Sequence, residues 1–140
     1  MSKVIHCQIV GEIASKLATY PKIRKFLLYQ QRYFRKFPGL IAEGRDMGTV
    51  VFPDAIIKFF LNANLETRVY RRIQQLKKIG LSINYQELFQ QLKNRDERDQ
   101  NRLISPLYPS KDAIILNSTN MKLSEVIEYS MKEIKKKIVI

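Results

Sequence analysis

The sequence predicts an α/β fold with a mostly parallel sheet and flanking helices, on three observations. Short apolar runs rich in β-branched and aromatic residues alternate with helical patterns in the second part of the chain, the order that βαβ units produce. The 140 residues are 45% hydrophobic and 27% charged, a globular composition for a chain long enough to bury a real core. Five Gly and five Pro are scattered singly, without a linker or an internal repeat, so one domain or part of one is expected.

Residues 5–18 carry a weak helical pattern. After Pro21 the apolar residues Ile23, Phe26, Leu27 and Phe34 fall at helical spacing, and Phe37-Pro38-Gly39 ends that run. Residues 40–42 form a short apolar run, expected as a first strand. Residues 50–52 are also strand-like, and residues 56–61, bounded by Pro53-Asp54 and Asn62, read as a buried strand. Residues 66–79 form a basic helix closed by Gly80. Asn84, with Glu87 three positions on, resembles a capping box and starts a helix expected to reach about Arg102, before Pro106 and Pro109. Residues 113–116 are the next apolar strand. A last helix runs from about Leu123 through Lys135, Lys136 and Lys137, where cations suit a C-terminal turn.

With 25 Lys+Arg against 13 Asp+Glu the formal charge is +12, which attracts polyanions and nucleotide phosphates alike. The longest stretch without a charged residue, residues 113–121, is too short to span a membrane. The first ten residues lack the pattern of a secretory signal, and a lone Cys7 forms no internal disulfide, so the cytoplasm is the expected compartment. One His and one Cys cannot assemble a thiolate or imidazole metal cluster, and no metal ligands are assigned. His6 and Cys7, adjacent in sequence, point apart on a helix and suggest no catalytic pair.

Gly39 and Gly44 have the spacing of a phosphate-binding P-loop, but Arg45 and Asp46 stand where Lys and Ser/Thr belong, and the residues between are apolar and strand-like. No Walker A motif occurs in the sequence. At the end of an expected strand, Arg45 can grip a phosphate and Asp46 can accept from an amino or hydroxyl group, with Gly44 and Gly48 allowing close backbone approach. A local ion pair is the competing reading. Arg95, Asp99 and Arg102, spaced i, i+4, i+7, share one helical face and could converge on a phosphorylated, hydroxyl-bearing ligand, or could form a solvated ion-pair face. Arg68, Arg71 and Arg72 share another stripe, suited to charge on a transferring phosphoryl group or to solvent. The Tyr and Phe residues sit at core-like spacing, without the aromatic and basic interleaving of a single-strand stacking platform, which counts against nucleic acid as a partner.

The run Ala42-Glu-Gly-Arg-Asp-Met-Gly-Thr-Val-Val-Phe-Pro-Asp54 resembles the signature of bacterial cytidylate kinase. The resemblance continues, in order and spacing, through Tyr20 to Arg24, Gln30 to Arg32, Glu66 to Arg72, Gln74 to Gly80, Arg95 to Arg102, Pro106-Leu107 and Asn117 to Thr119, over essentially the whole chain. It implies a P-loop nucleoside monophosphate kinase fold that transfers the γ-phosphoryl group of ATP to CMP or dCMP with Mg²⁺, giving CDP or dCDP.

By resemblance, Ser15, Arg24 and Asp46 recognise the cytosine ring, Arg45 and Arg102 hold the acceptor phosphate, and Arg95 and Asp99 lie near ribose and phosphate. Arg71 and Arg72 fall in the mobile lid over ATP and, with Arg102, are the candidate catalytic residues. The implied layout is a single partial kinase domain. About 1–38 forms the helical part of the CMP-binding region, 40–64 the core strands, 65–105 the lid-type helices, and 112–140 a core strand with the C-terminal helix.

Family members begin with a strand and a P-loop that this sequence does not contain, so it resembles their C-terminal portion, with the central strand of the sheet absent. A separately encoded N-terminal kinase segment is then a candidate partner, and the chain alone is expected to be inactive. A non-catalytic remnant and a basic nucleic-acid-binding module are the alternative readings.

Overall fold

The computed structural model describes residues 8–138, so the expectations for His6 and Cys7 lie outside the described residues. The elements are helices α1 (Gln8–Leu17) and α2 (Pro21–Tyr33), a π-helical turn (Met47–Val51), strand β1 (Phe59–Asn62), helices α3 (Leu65–Lys78) and α4 (Tyr85–Asn101), strand β2 (Ile114–Asn117) and helix α5 (Leu123–Lys137). They form two compact units. One comprises the described part of Met1–Pro53 with Asn94–Tyr108, and the other Asp54–Lys93 with the described part of Pro109–Ile140.

In the second unit β1 and β2 pair in parallel, with Phe59 opposite Ile114 and Asn62 opposite Asn117. Two further main-chain bonds extend the ladder, Ile114 N to Lys58 O at 2.9 Å and Ser118 N to Asn62 O at 2.7 Å. The chain is thus helix-rich α/β with a small parallel sheet. Helix α3 starts where Asn64 Oδ1 accepts the Thr67 N–H at 2.9 Å and ends before Gly80, whose φ of 77° requires a residue without Cβ strain. Asn84 caps α4 as expected, accepting from the N–H groups of Gln86 and Glu87.

The apolar stripe of α3 (Leu65, Val69, Ile73, Leu76) packs on Leu88, Phe89 and Leu92 of α4, and Val69, Leu76 and Leu88 are buried. Leu88 is fully buried, so Leu88→Ala should cost about 2–5 kcal/mol of unfolding free energy, read as a lowered denaturation midpoint.

Four expectations are corrected. Residues 40–42 are not a strand: they have irregular backbone, and Leu40 and Ile41 are exposed. Apolar character creates a strand only where a neighbour takes up its peptide groups, and no described strand lies beside this run. Residues 50–52, despite two β-branched side chains, close the π-helical turn, because the Val50 and Val51 N–H groups both reach back to Asp46 O and Phe52 N–H to Met47 O. Residues 56–61 give only the strand Phe59–Asn62, with Ile56 and Leu61 exposed rather than buried. The core-like spacing of the aromatics is also misleading on α2, where Phe26, Tyr29 and Tyr33 are all exposed.

Candidate functional site

The first unit gathers seven of the residues expected from the sequence. Asp46, which caps the π-helical turn, is buried and paired with Arg24 of α2 through Arg24 Nη2 and Asp46 Oδ2. Arg24 is steadied by a second bond, Nη1 to Ala18 O at 3.3 Å. The turn is held from the same helix by Arg32, whose Nε and Nη2 donate to the carbonyls of Val51 and Val50 at 2.9 and 3.0 Å. Gly44 serves this turn locally, since a Cβ there would lie 2.7 Å from Met47 Cε.

Asp99, on the last turns of α4, is the centre of the second group and is 1% exposed. Its Oδ1 accepts from Ser15 Oγ of α1 at 3.0 Å. Its Oδ2 lies 3.2 Å from Arg45 Nε and 3.8 Å from Arg95 Nε, close enough for charge pairing but without a hydrogen bond. Arg98 donates from Nη1 to Ser15 Oγ at 3.3 Å. Arg102, just past the helix end, is buried and donates from Nε to Ser105 O.

Three guanidinium groups (Arg24, Arg45, Arg95) therefore pair with two buried carboxylates, Asp46 and Asp99, while Arg98 reaches Ser15 beside Asp99 and Arg102 donates to Ser105 O. The imbalance is visible in the bases themselves. Burial lowers the Arg95 pKa from the usual guanidinium value and Arg45 lowers it further, against the pull of Asp99 and Asp96. Burial lowers Arg102 too, with Arg24 as the next cause, while Asp46 and Asp99 oppose it. Arg95 Nε and Arg102 Nη2 are buried donors without a hydrogen-bond partner among the described residues. Excess positive charge with unspent donors is the arrangement that an anionic, hydrogen-bonding ligand completes.

Sequence reasoning missed Arg98. Its signal was the i, i+3 spacing from Arg95, but its partner, Ser15, lies 83 positions away and nothing local announces it.

Arg71 and Arg72 belong to the second unit. Beyond the carboxyl ends of β1 and β2, Arg71 donates from Nη1 to Ser118 Oγ at 3.0 Å and from Nη2 to the carbonyls of Ser118 and Met121 at 2.6 and 3.0 Å. Arg72 reaches Gln75 Oε1 at 3.1 Å. The Asn117 to Thr119 segment is knitted to the same corner, since Thr119 Oγ1 accepts from Asn64 N–H and Ser118 Oγ donates to Asn62 O. Among the described residues no group of three His, Cys, Asp or Glu side chains could hold a metal ion, and no helix is long and apolar enough to cross a membrane.

The chain is 60% identical over 120 residues to the cytidylate kinase of Buchnera aphidicola subsp. Baizongia pistaciae, covering 85% of this chain and 52% of that protein. It is 48% identical over 138 residues to the cytidylate kinase of Shigella boydii, covering 99% and 61%, and 46% identical over 140 residues to that of Klebsiella pneumoniae, covering 100% and 62%. The chain thus spans between half and two thirds of the length of these curated relatives. Residues 1–136 match the family described as cytidylate kinase, and the chain belongs to that family.

Proposed function

We propose that the chain forms the acceptor side of a (d)CMP kinase, the reaction being transfer of the ATP γ-phosphoryl group to a phosphate oxygen of CMP or dCMP. The observation that supports this most directly is the buried cluster around Asp46 and Asp99, with unspent donors on Arg95 and Arg102. In this reading Ser15, Arg24 and Asp46 face the cytosine ring, Arg45 and Arg102 hold the phosphate, and Arg95 and Asp99 serve ribose and phosphate. The fold we assign is the P-loop nucleoside monophosphate kinase type, working in the cytoplasm.

The donor side is different. Arg71 and Arg72 are assigned to the lid over ATP, and Arg71 must leave Ser118 and Met121 to reach a phosphate. Among the described residues no group of three His, Cys, Asp or Glu side chains could hold a metal ion, and the 140 residues include no Walker A loop to cradle the phosphates that carry Mg²⁺, so they do not supply a Mg²⁺ and ATP site on their own. When bound, those co-substrates supply the transferred group and neutralise its charge. This reading calls for a phosphate loop, which the 140 residues do not contain.

The test is a titration of the chain with CMP, dCMP and UMP at fixed salt, beside a single-stranded oligonucleotide in a salt series. CMP and dCMP are expected to bind in preference to UMP. Equal binding of CMP and UMP, with oligonucleotide affinity falling steeply as salt rises, would replace this reading with the nucleic-acid-binding one.

A further inference from the structure

Ser15 Oγ stands between a group that can only accept and a group that can only donate. An ionised carboxylate has no proton to give and a guanidinium has no lone pair, so the single hydroxyl proton of Ser15 must lie on Asp99, and the Arg98 N–H must take one of its two lone pairs. Ser15 and Asp99 are both buried, so water does not scramble this order. What remains to Ser15 is one lone pair and no proton.

We infer that Asp99 and Arg98 act through Ser15 as specificity-determining residues, fixing its hydroxyl as an acceptor toward the edge of the incoming pyrimidine. This rests on the nucleotide reading above, in which Ser15 faces the base. The 4-amino group of cytosine donates to such a lone pair, whereas the 4-carbonyl of uracil would place oxygen against oxygen. Arg98 is a positioning residue, holding Oγ in place and keeping the proton turned to Asp99. Asp99 has a second task beyond any contact with ribose: it sets the direction of a neighbour's proton.

The comparison of CMP with UMP isolates this effect, since the two nucleotides share ribose and phosphate and any damage to those contacts cancels in the ratio of affinities. In Asp99→Asn the amide can donate to Ser15 Oγ, which fills both lone pairs and turns the hydroxyl proton outward. The CMP over UMP preference should fall roughly 10-fold, the upper scale of one neutral hydrogen bond. Arg98→Met, at a half-buried position, keeps the test open if Asp99→Asn does not fold. It should narrow the ratio roughly 3-fold, and Arg98→Lys, which retains a donor, should restore most of it.

In a Ser15→Ala background neither Asp99→Asn nor Arg98→Met should move the ratio further, because the relay has lost its middle. A folded Arg98→Met or Asp99→Asn chain with the parent's ratio overturns the inference, as do equal shifts in the presence and absence of Ser15. A parent chain that does not select CMP over UMP overturns the nucleotide reading and this inference with it. A parent that selects CMP, with unresponsive variants, sinks this inference alone.

Discussion

Supplied with ATP, Mg²⁺ and CMP, the 140-residue chain by itself is expected to form no CDP above background. Phosphoryl transfer depends on positioning and charge stabilisation, and in P-loop enzymes a ring of backbone N–H donors with a Lys holds the β- and γ-phosphates while a Ser or Thr helps hold Mg²⁺. The sequence contains no such loop. Arginines cannot substitute for it: Arg71 is spent on Ser118 and Met121, Arg45 and Arg95 pair with Asp99, and Arg102 donates to Ser105 O. The exposed Leu61 and Ile115 of the two-stranded sheet should make the isolated chain prone to association. Adding a polypeptide that carries a strand and a Walker A loop should therefore raise thermal stability and turnover together, and a coupled assay for ADP release reads the second directly. Turnover by the 140 residues alone, undiminished in Arg45→Ala, would show that another phosphate site exists.

How far the sequence reveals such a molecule depends on whether the determining contacts are local. The helix start at Asn84 and the stop at Gly80 were legible, because both act on main-chain groups within a turn, whereas the Asn64 cap one helix earlier went unread. The strand expected at residues 40–42 failed because a strand is a property of two segments, and Ile41 is fully exposed with no described neighbour to pair with. The π-helical turn at residues 47–51 was hidden by β-branched side chains, whose preference yields to main-chain bonds returning to Asp46 and Met47.

The candidate site divides in the same way. Arg95 and Asp99 could be grouped by helical spacing, and Arg45 with Asp46 by position in a turn. Ser15 and Arg24 carry no pattern of their own, since their partners lie 84 and 22 residues away; only the family resemblance singled them out. Arg98 escaped both routes, being one arginine among several in a charged run whose meaning comes from a hydroxyl on another helix.

Asp46→Asn should have the largest effect of any single substitution on the choice between CMP and UMP. The Asp46 carboxylate is buried against Arg24, and ionised it can only accept, which suits the amino group of cytosine and opposes the carbonyl of uracil. Asn at this position offers either an oxygen or an NH₂ group, so the base-reading edge loses its fixed polarity, and the CMP over UMP preference should fall roughly 10-fold or more, as when a charged hydrogen-bond partner is lost. The same change strands a guanidinium. With the Asp46 charge gone, Arg24 retains the bond to Ala18 O, and breaking a buried pair from one side costs about 3–5 kcal/mol. Asp46→Asn should therefore also lower the denaturation midpoint, and the ratio must be measured below it. Arg45→Ala supplies the contrast: Arg45 is half-exposed and assigned to the phosphate that CMP and UMP share, so both affinities should fall while their ratio holds. A folded Asp46→Asn chain that keeps the parent's ratio would remove Asp46 from the base-reading role, and an Arg45→Ala chain with an altered ratio would move Arg45 from the phosphate to the base.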